Sequence, residues 1–223
     1  MQEWKKYCKF AVAIANKEQR TKNQDKFVMK TKVILIIALV LCCSCSKKTT
    51  IESGELQEAI SQVWLDADQA QKTLGKINTS FLSEYELQRY RLTEAHLMLK
   101  RELRLPIESN LDDMAKYFAN CEDEASASEA YYIQGAYLNY MGENTQAMQY
   151  LKKAESYPAA SIIRGMTYYK MGRISESEQL YDIALENYQK ALPYLEEAGL
   201  PLYLASVYRE LGRNTHNESR NQY

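Results

Sequence analysis

From residue 53 onward, apolar side chains recur at steps of three and four, with no sustained alternation. That spacing predicts helices over 54–65, 67–76, 82–102, 109–120, 126–141, 144–156, 159–171, 174–198 and 201–212. Leu105-Pro106 and the stretch from Asn120 to Glu124 supply the clearest breaks. Ser53 stands at the first helix start, followed by Glu55 and Glu58, where the helix dipole favours carboxylates. Upstream the pattern is different. The run from Val33 to Leu41 is apolar throughout, preceded by Lys30 and Lys32 and followed by Cys42, Cys43, Ser44 and Cys45. A membrane-spanning helix needs roughly 20 residues, so this shorter run has the layout of a signal peptide.

Within the helical body, three segments align without gaps: 131–142, 161–172 and 201–212, each closing on glycine. Gly135, Gly165 and Ala205 share one column, and Leu138, Tyr168 and Tyr208 another. Small residues let two antiparallel helices approach, and a large residue of the partner fills the notch. Gly142, Gly172 and Gly212 are then expected to end their helices in the left-handed conformation. Downstream, Ala147, Leu151 and Ala154, with Pro158 beyond them, and then Ala184, Tyr188 and Ala191, supply the second helix of each pair.

This arrangement resembles the tetratricopeptide repeat, whose period is about 34 residues. The resemblance implies an all-α fold of antiparallel helix pairs stacked as a right-handed α-solenoid. On this reading 128–213 holds the clear repeats, the last incomplete, and 214–223 is a polar tail. Residues 53–127 hold two weaker pairs, one around Leu56, Ile60, Leu74 and Ile77. The other is built on Tyr90, Ala95, Leu97, Leu99, Met114, Ala115 and Phe118. Ala184 stands twelve positions after Gly172, whereas Ala147 stands five after Gly142; the extra seven, nearly two turns, are expected to lengthen a helix. Pro193 is expected to bend that helix. A solenoid needs a polar cap over its last face, so 214–222 either form a short substitute or the chain is a truncated form of a longer one.

Composition supports the helical reading. Gly is 8 and Pro 4 in 223 residues, where average usage gives roughly 16 and 11. Net charge is −1, but unevenly spread. Residues 1–32 carry nine basic and three acidic side chains, while the chain from Cys45 carries 19 basic and 26 acidic, a net of −7. An acidic body repels phosphates, which argues against a nucleic-acid partner.

The end of the apolar run resembles the lipobox of bacterial lipoproteins, in which a cysteine is acylated at sulfur and becomes the new N-terminus. Cys45, between Ser44 and Ser46, is the expected lipid attachment site; Cys42 and Cys43 follow Leu41 and Cys42, which fit less well. An ordinary signal peptide or an uncleaved anchor is the alternative. Residues 29–45 are then the signal and 46–52 a tether. Residues 1–28 are polar and precede a signal that starts naturally at Met29, so they read as an extension upstream of the true start, or as an unusually long leader. With Cys45 lipidated, Cys121 is the one remaining thiol of the mature body, expected to be a small buried hydrophobe.

No phosphate loop, Cys-x-x-Cys, His-Glu-x-x-His or nucleophile elbow occurs, and His96 and His216 are the only histidines. The expectation is no catalytic residue, no metal and no cofactor. Asp112-Asp113 and Glu122-Asp123-Glu124 lack the spacing of a calcium loop and read as solvated helix starts. The resemblance places partner-binding residues on the groove face of each first helix: Tyr132, Asn139, Tyr140, Met166, Tyr169, Lys170 and Arg209. The family's carboxylate clamp is not expected, because Tyr132 and Ala136 stand at its Lys and Asn positions. The resulting expectation is a non-enzymatic, lipid-anchored scaffold of the cell envelope that binds another protein or peptide, its body facing the periplasm or the cell surface. The alternatives are the truncated sensor region of a membrane regulator and a glycan-binding lipoprotein.

Overall fold

The structure is a computed structural model and describes residues 54–103, 105 and 110–221, with side chains described as far as 215. These residues belong to one unit, Ile51–Tyr223. The signal segment with Cys45, the extension 1–28, the tether and Ser53 lie outside the described residues.

The described residues form nine α-helices and no strand. They are α1 (Gly54–Gln62), α2 (Ala67–Leu74), α3 (Glu84–Lys100), α4 (Leu111–Asn120), α5 (Glu124–Tyr140), α6 (Asn144–Ser156), α7 (Ser161–Ser177), α8 (Tyr181–Glu197) and α9 (Pro201–Asn221), with a 3₁₀ turn at Thr79–Phe81. Four starts are capped by side chains. Asp66 accepts from the backbone of Asp68 and Gln69, Asn110 from Asp113, and Asp123 from Ser126, while Ser83 and Glu86 form a reciprocal capping box. No side chain caps α6, α7 or α8.

Consecutive helices pack as neighbours throughout, and α5 also touches α3 and α7 across the pair boundaries, so that these three form a row. The main core runs from Leu92 through Phe118, Ile133, Leu151 and Tyr188 to Val207. A smaller core joins Leu56, Ala59, Val63, Ala70 and Leu74 to Leu97 of α3. The two weaker pairs expected in 53–127 are thus divided between the cores. Leu56 and Leu74, flanked by Ile60, Ile77 and Tyr90, belong to the small one; Ala95, Met114, Ala115 and Phe118 belong to the large one.

Four helix ends close in the same way. The N–H groups of Leu103, Asp123, Glu143 and Leu180 each donate to the carbonyl five positions back, all at 2.9 Å. The residue before each (Glu102, Glu122, Gly142 and Gln179) has φ of 56, 60, 85 and 62°. This is the Schellman closure, with the left-handed residue glycine at only one of the four.

These turns correct the register expected at the second and third segments. Helix α7 runs through Gly172 to Ser177, and the turn falls at Gln179. Gly172 is a notch: a Cβ there would lie 2.6 Å from Cε1 of Tyr188. Gly135 meets Leu151 in the same sense, at 2.8 Å. Both contacts join a glycine to the side chain sixteen positions on, so Gly172 is the counterpart of Gly135 and not of Gly142. Counted from the notches, Ala147 and Ala184 both follow at the twelfth position, and the expected insertion disappears. Gly165 is a second notch one heptad earlier, where a Cβ would lie 2.7 Å from Cγ of Leu195. In the third segment, Ala205 is exposed, open space surrounds Gly212, and α9 continues to Asn221. Cys121 is likewise exposed, because it caps α4 beside the left-handed Glu122.

Candidate functional site

Trp64 lies in the corner between α1 and α2, and its ring meets three later helices. It stands edge-on to His96 of α3 (centroids 4.5 Å apart) and to Tyr203 of α9 (5.7 Å), and tilts against Tyr132 of α5 (6.1 Å). Lys100 locks the corner. Its Nζ donates to the carbonyls of Val63 (2.7 Å) and Trp64 (3.3 Å), 5.2 Å from the Trp64 ring centre and 5.7 Å from that of Tyr203. Cation–π contact of this kind strengthens as water is removed. Beside the corner an open pocket of about 320 Å³ is lined by Ser61, Trp64, Leu65, Ile162 and Leu200, among others.

Beneath Trp64 lies a buried polar chain. His96 is fully buried, with Nδ1 2.8 Å from Oε1 of Glu129. Arg89 reaches Oε2 of the same carboxylate at 3.4 Å and donates to the Ser126 hydroxyl at 2.8 Å. Burial alone would raise the Glu129 pKa. The hydrogen bonds and charges of His96 and Arg89 outweigh it, and the carboxyl titrates below its usual range. Nε2 of His96 is buried with no hydrogen-bond partner. Burial, reinforced by Tyr203, Glu129 and Tyr169, pushes the Tyr132 phenol far above its ordinary value.

A second charged group lies between α7 and α9. Glu176 accepts from the Tyr188 hydroxyl (2.8 Å) and from Arg213 (2.5 Å). Glu210, with 2% of its side chain exposed, is held by Arg209 at 3.0 Å and Arg213 at 2.7 Å. Burial opposes ionisation of Glu176, but Tyr188 and Arg213 prevail and hold its pKa below normal.

The expected partner-binding residues fall into two sets. Tyr132 and Met166 are buried. Tyr132 packs against Trp64, so it faces the chain's own corner. The remaining five keep some solvent contact. Asn139 donates to Asn144, which in turn donates to Ser177 and Glu178, linking the turn after α5 to that after α7. The half-exposed Tyr140 donates its hydroxyl to the Glu102 carbonyl at 3.2 Å. Tyr169 rests 5.9 Å from the Tyr188 ring, and Arg209 is committed to Glu210. Lys170 is half-buried and makes no hydrogen bond or ion pair among the described residues.

Periodicity does not single out Trp64, Arg89, His96 or Glu129 as members of one cluster. Composition carries a weak signal at most, since Trp64 is one of two tryptophans and His96 one of two histidines. Asp112 and Asp113 stand in the first turn of α4, where Asp112 pairs with Lys116 and Lys153. No group of three metal-ligating side chains occurs among the described residues, and none of their helices is long and apolar enough to cross a membrane. No family model, curated protein or solved structure matches this chain.

Proposed function

We propose that this chain is a non-enzymatic helical-repeat scaffold, tethered by a lipid on Cys45, that binds another protein in the bacterial cell envelope. The observation that carries the repeat reading is the recurrence of one packing device. Gly135 receives Leu151 and Gly172 receives Tyr188 at the same sequence separation, and one heptad after each glycine comes the left-handed turn residue, Gly142 or Gln179. A tetratricopeptide-like solenoid is built from such a unit. Its stacked first helices leave a face suited to an extended or helical polypeptide. Trp64 takes up the Tyr132 end of that face, which leaves the stretch from Tyr140 through Tyr169 and Lys170 to Arg209 for the partner.

Two experiments test the two halves of this proposal. Cys45→Ala is expected to abolish labelling by radioactive palmitate and to move the protein from the membrane to the soluble fraction. Retained label on that variant refutes the anchor. For the scaffold, cross-linking in cells followed by affinity purification is expected to recover a defined protein partner. Tyr169→Ala is expected to weaken that complex by about 2 kcal/mol, the scale of a central aromatic hot spot, with helicity retained. A complex untouched by substitutions at Tyr140, Tyr169, Lys170 and Arg209 alike rules out this face.

A further inference from the structure

We propose that Lys170 and Arg173, one turn apart on α7, form a recognition site for an acidic segment of a partner protein. The inference rests on the scaffold reading and names the chemistry its open face selects. Residues three apart on a helix are surface neighbours, and two like charges there repel. Two of the carboxylates around this pair are already held by other groups. Glu210 is held by Arg209 and Arg213, and Glu176 by Arg213 and Tyr188. Elsewhere Arg89 faces Glu129, Arg101 faces Asp68, Lys153 faces Asp112 and Lys190 faces Glu186. Lys170 has no such partner among the described residues. Glu102 attracts it from beyond ion-pair distance, and Arg173 repels it. Arg173 donates to the Tyr169 hydroxyl at 3.5 Å, and Glu210 attracts it from beyond ion-pair distance.

An amine that is half out of water and unpaired carries an uncompensated desolvation cost, which an incoming carboxylate removes. Consistently, burial first and Arg173 second hold the Lys170 pKa below the usual lysine range. The surrounding body is acidic, with a net of −7 from Cys45 onward, so this cationic point is the local exception that complements an anionic partner. Tyr169, adjacent in sequence, rests its ring near that of Tyr188 and offers its hydroxyl to Arg173. The site differs from a clamp for a peptide terminus built on α5, where Tyr132 and Ala136 are both buried.

The test is selection of a random dodecapeptide display library on the full-length chain in mild detergent. The recovered peptides are expected to be enriched in Asp and Glu. The Lys170→Glu/Arg173→Glu chain, with unchanged circular dichroism and thermal unfolding, is expected to select basic peptides instead. With the best acidic peptide in fluorescence polarisation, Lys170→Gln and Arg173→Gln should each weaken binding about tenfold. Affinity should also decline as pH rises and Lys170 loses its proton. Acidic peptides held equally well by the doubly reversed chain, or recovered peptides without acidic excess, overturn the site and leave the scaffold reading standing. No enrichment above the empty support overturns the scaffold reading and the site with it.

Discussion

The pairs α5–α6 and α7–α8 solve one packing problem to different depths. Both first helices have 17 residues, and in both the principal notch occupies the twelfth position of the helix, at Gly135 and Gly172. One heptad before the notch the two diverge. In α5 that position is Ser128, whose hydroxyl donates at 2.8 Å to the carbonyl of Ala154, near the end of the 13-residue α6. In α7 it is Gly165, which receives Leu195 from the longer, 17-residue α8. A shorter second helix is thus finished by a hydroxyl on its terminal carbonyls. A longer one demands a second small residue opposite it, because a side chain at that height would meet Leu195. The large residue filling the main notch differs in parallel. Leu151 is purely apolar, whereas Tyr188 fills the notch and carries its hydroxyl out to Glu176, tying the pair to Arg213 of α9.

The sharpest way to break this comparison is to empty the notches. Tyr188→Ala removes a fully buried ring and a hydrogen bond, with an expected loss of about 3–5 kcal/mol in urea unfolding. Leu151→Ala is expected to cost less. If it costs more, the α7–α8 pair is not the deeper contact. Filling the notches comes next. Gly165→Leu and Gly172→Leu should each destabilise by about 1–3 kcal/mol or more through overpacking. An unchanged melting temperature at Gly165 would make the second notch irrelevant and the two pairs alike.

The turns sharpen the comparison at smaller scale. Gly142→Ala places a Cβ on a residue with φ of 85°, at a cost of roughly 1 kcal/mol, although open space surrounds it. Gln179→Gly relieves the same strain at φ 62° and should stabilise by a similar amount. A loss at Gln179→Gly would mean that this side chain holds the turn.

The weakest effect is the acid limb of stability. Glu129 and Glu176 both titrate below their ordinary value in the folded chain. Their contribution is complete above the unfolded pKa, about 4.3, and is lost as pH falls through the lower folded values. Glu129→Gln and Glu176→Gln should each flatten the stability curve below about pH 4.5. A curve unchanged in both variants would show that neither carboxylate is tied to its cations.

Local physics was legible before any packing was considered. The three- and four-residue spacing placed nine helices, as many as the described residues form, whereas the caps Asp66, Ser83, Asn110 and Asp123 come from the structure. Glycine was harder to read, because it serves two purposes that look identical in a sequence. It admits the left-handed backbone, and it lets another helix approach. Gly142 does the first; Gly135, Gly165 and Gly172 do the second. The position of Tyr188 decides which role Gly172 takes. Once that ring fills the notch, the helix must continue, and the turn is displaced onto Gln179 at the cost of an unfavourable φ.

The sequence by itself determined what depends on neighbours along the chain: helix content, the small-residue positions and the acidic charge of the body. Tertiary structure alone decided which side chains of distant helices meet. Trp64 and Tyr203 lie at opposite ends of the described helices, and nothing in either neighbourhood specifies that they meet. Their contact follows from the accumulated geometry of the helices between them. That geometry also buries Tyr132 and holds Lys170 beyond ion-pair distance of the Glu102 carboxylate that attracts it. Periodicity assigns a residue to a face of its own helix, while exposure of that face depends on what the rest of the chain lays across it.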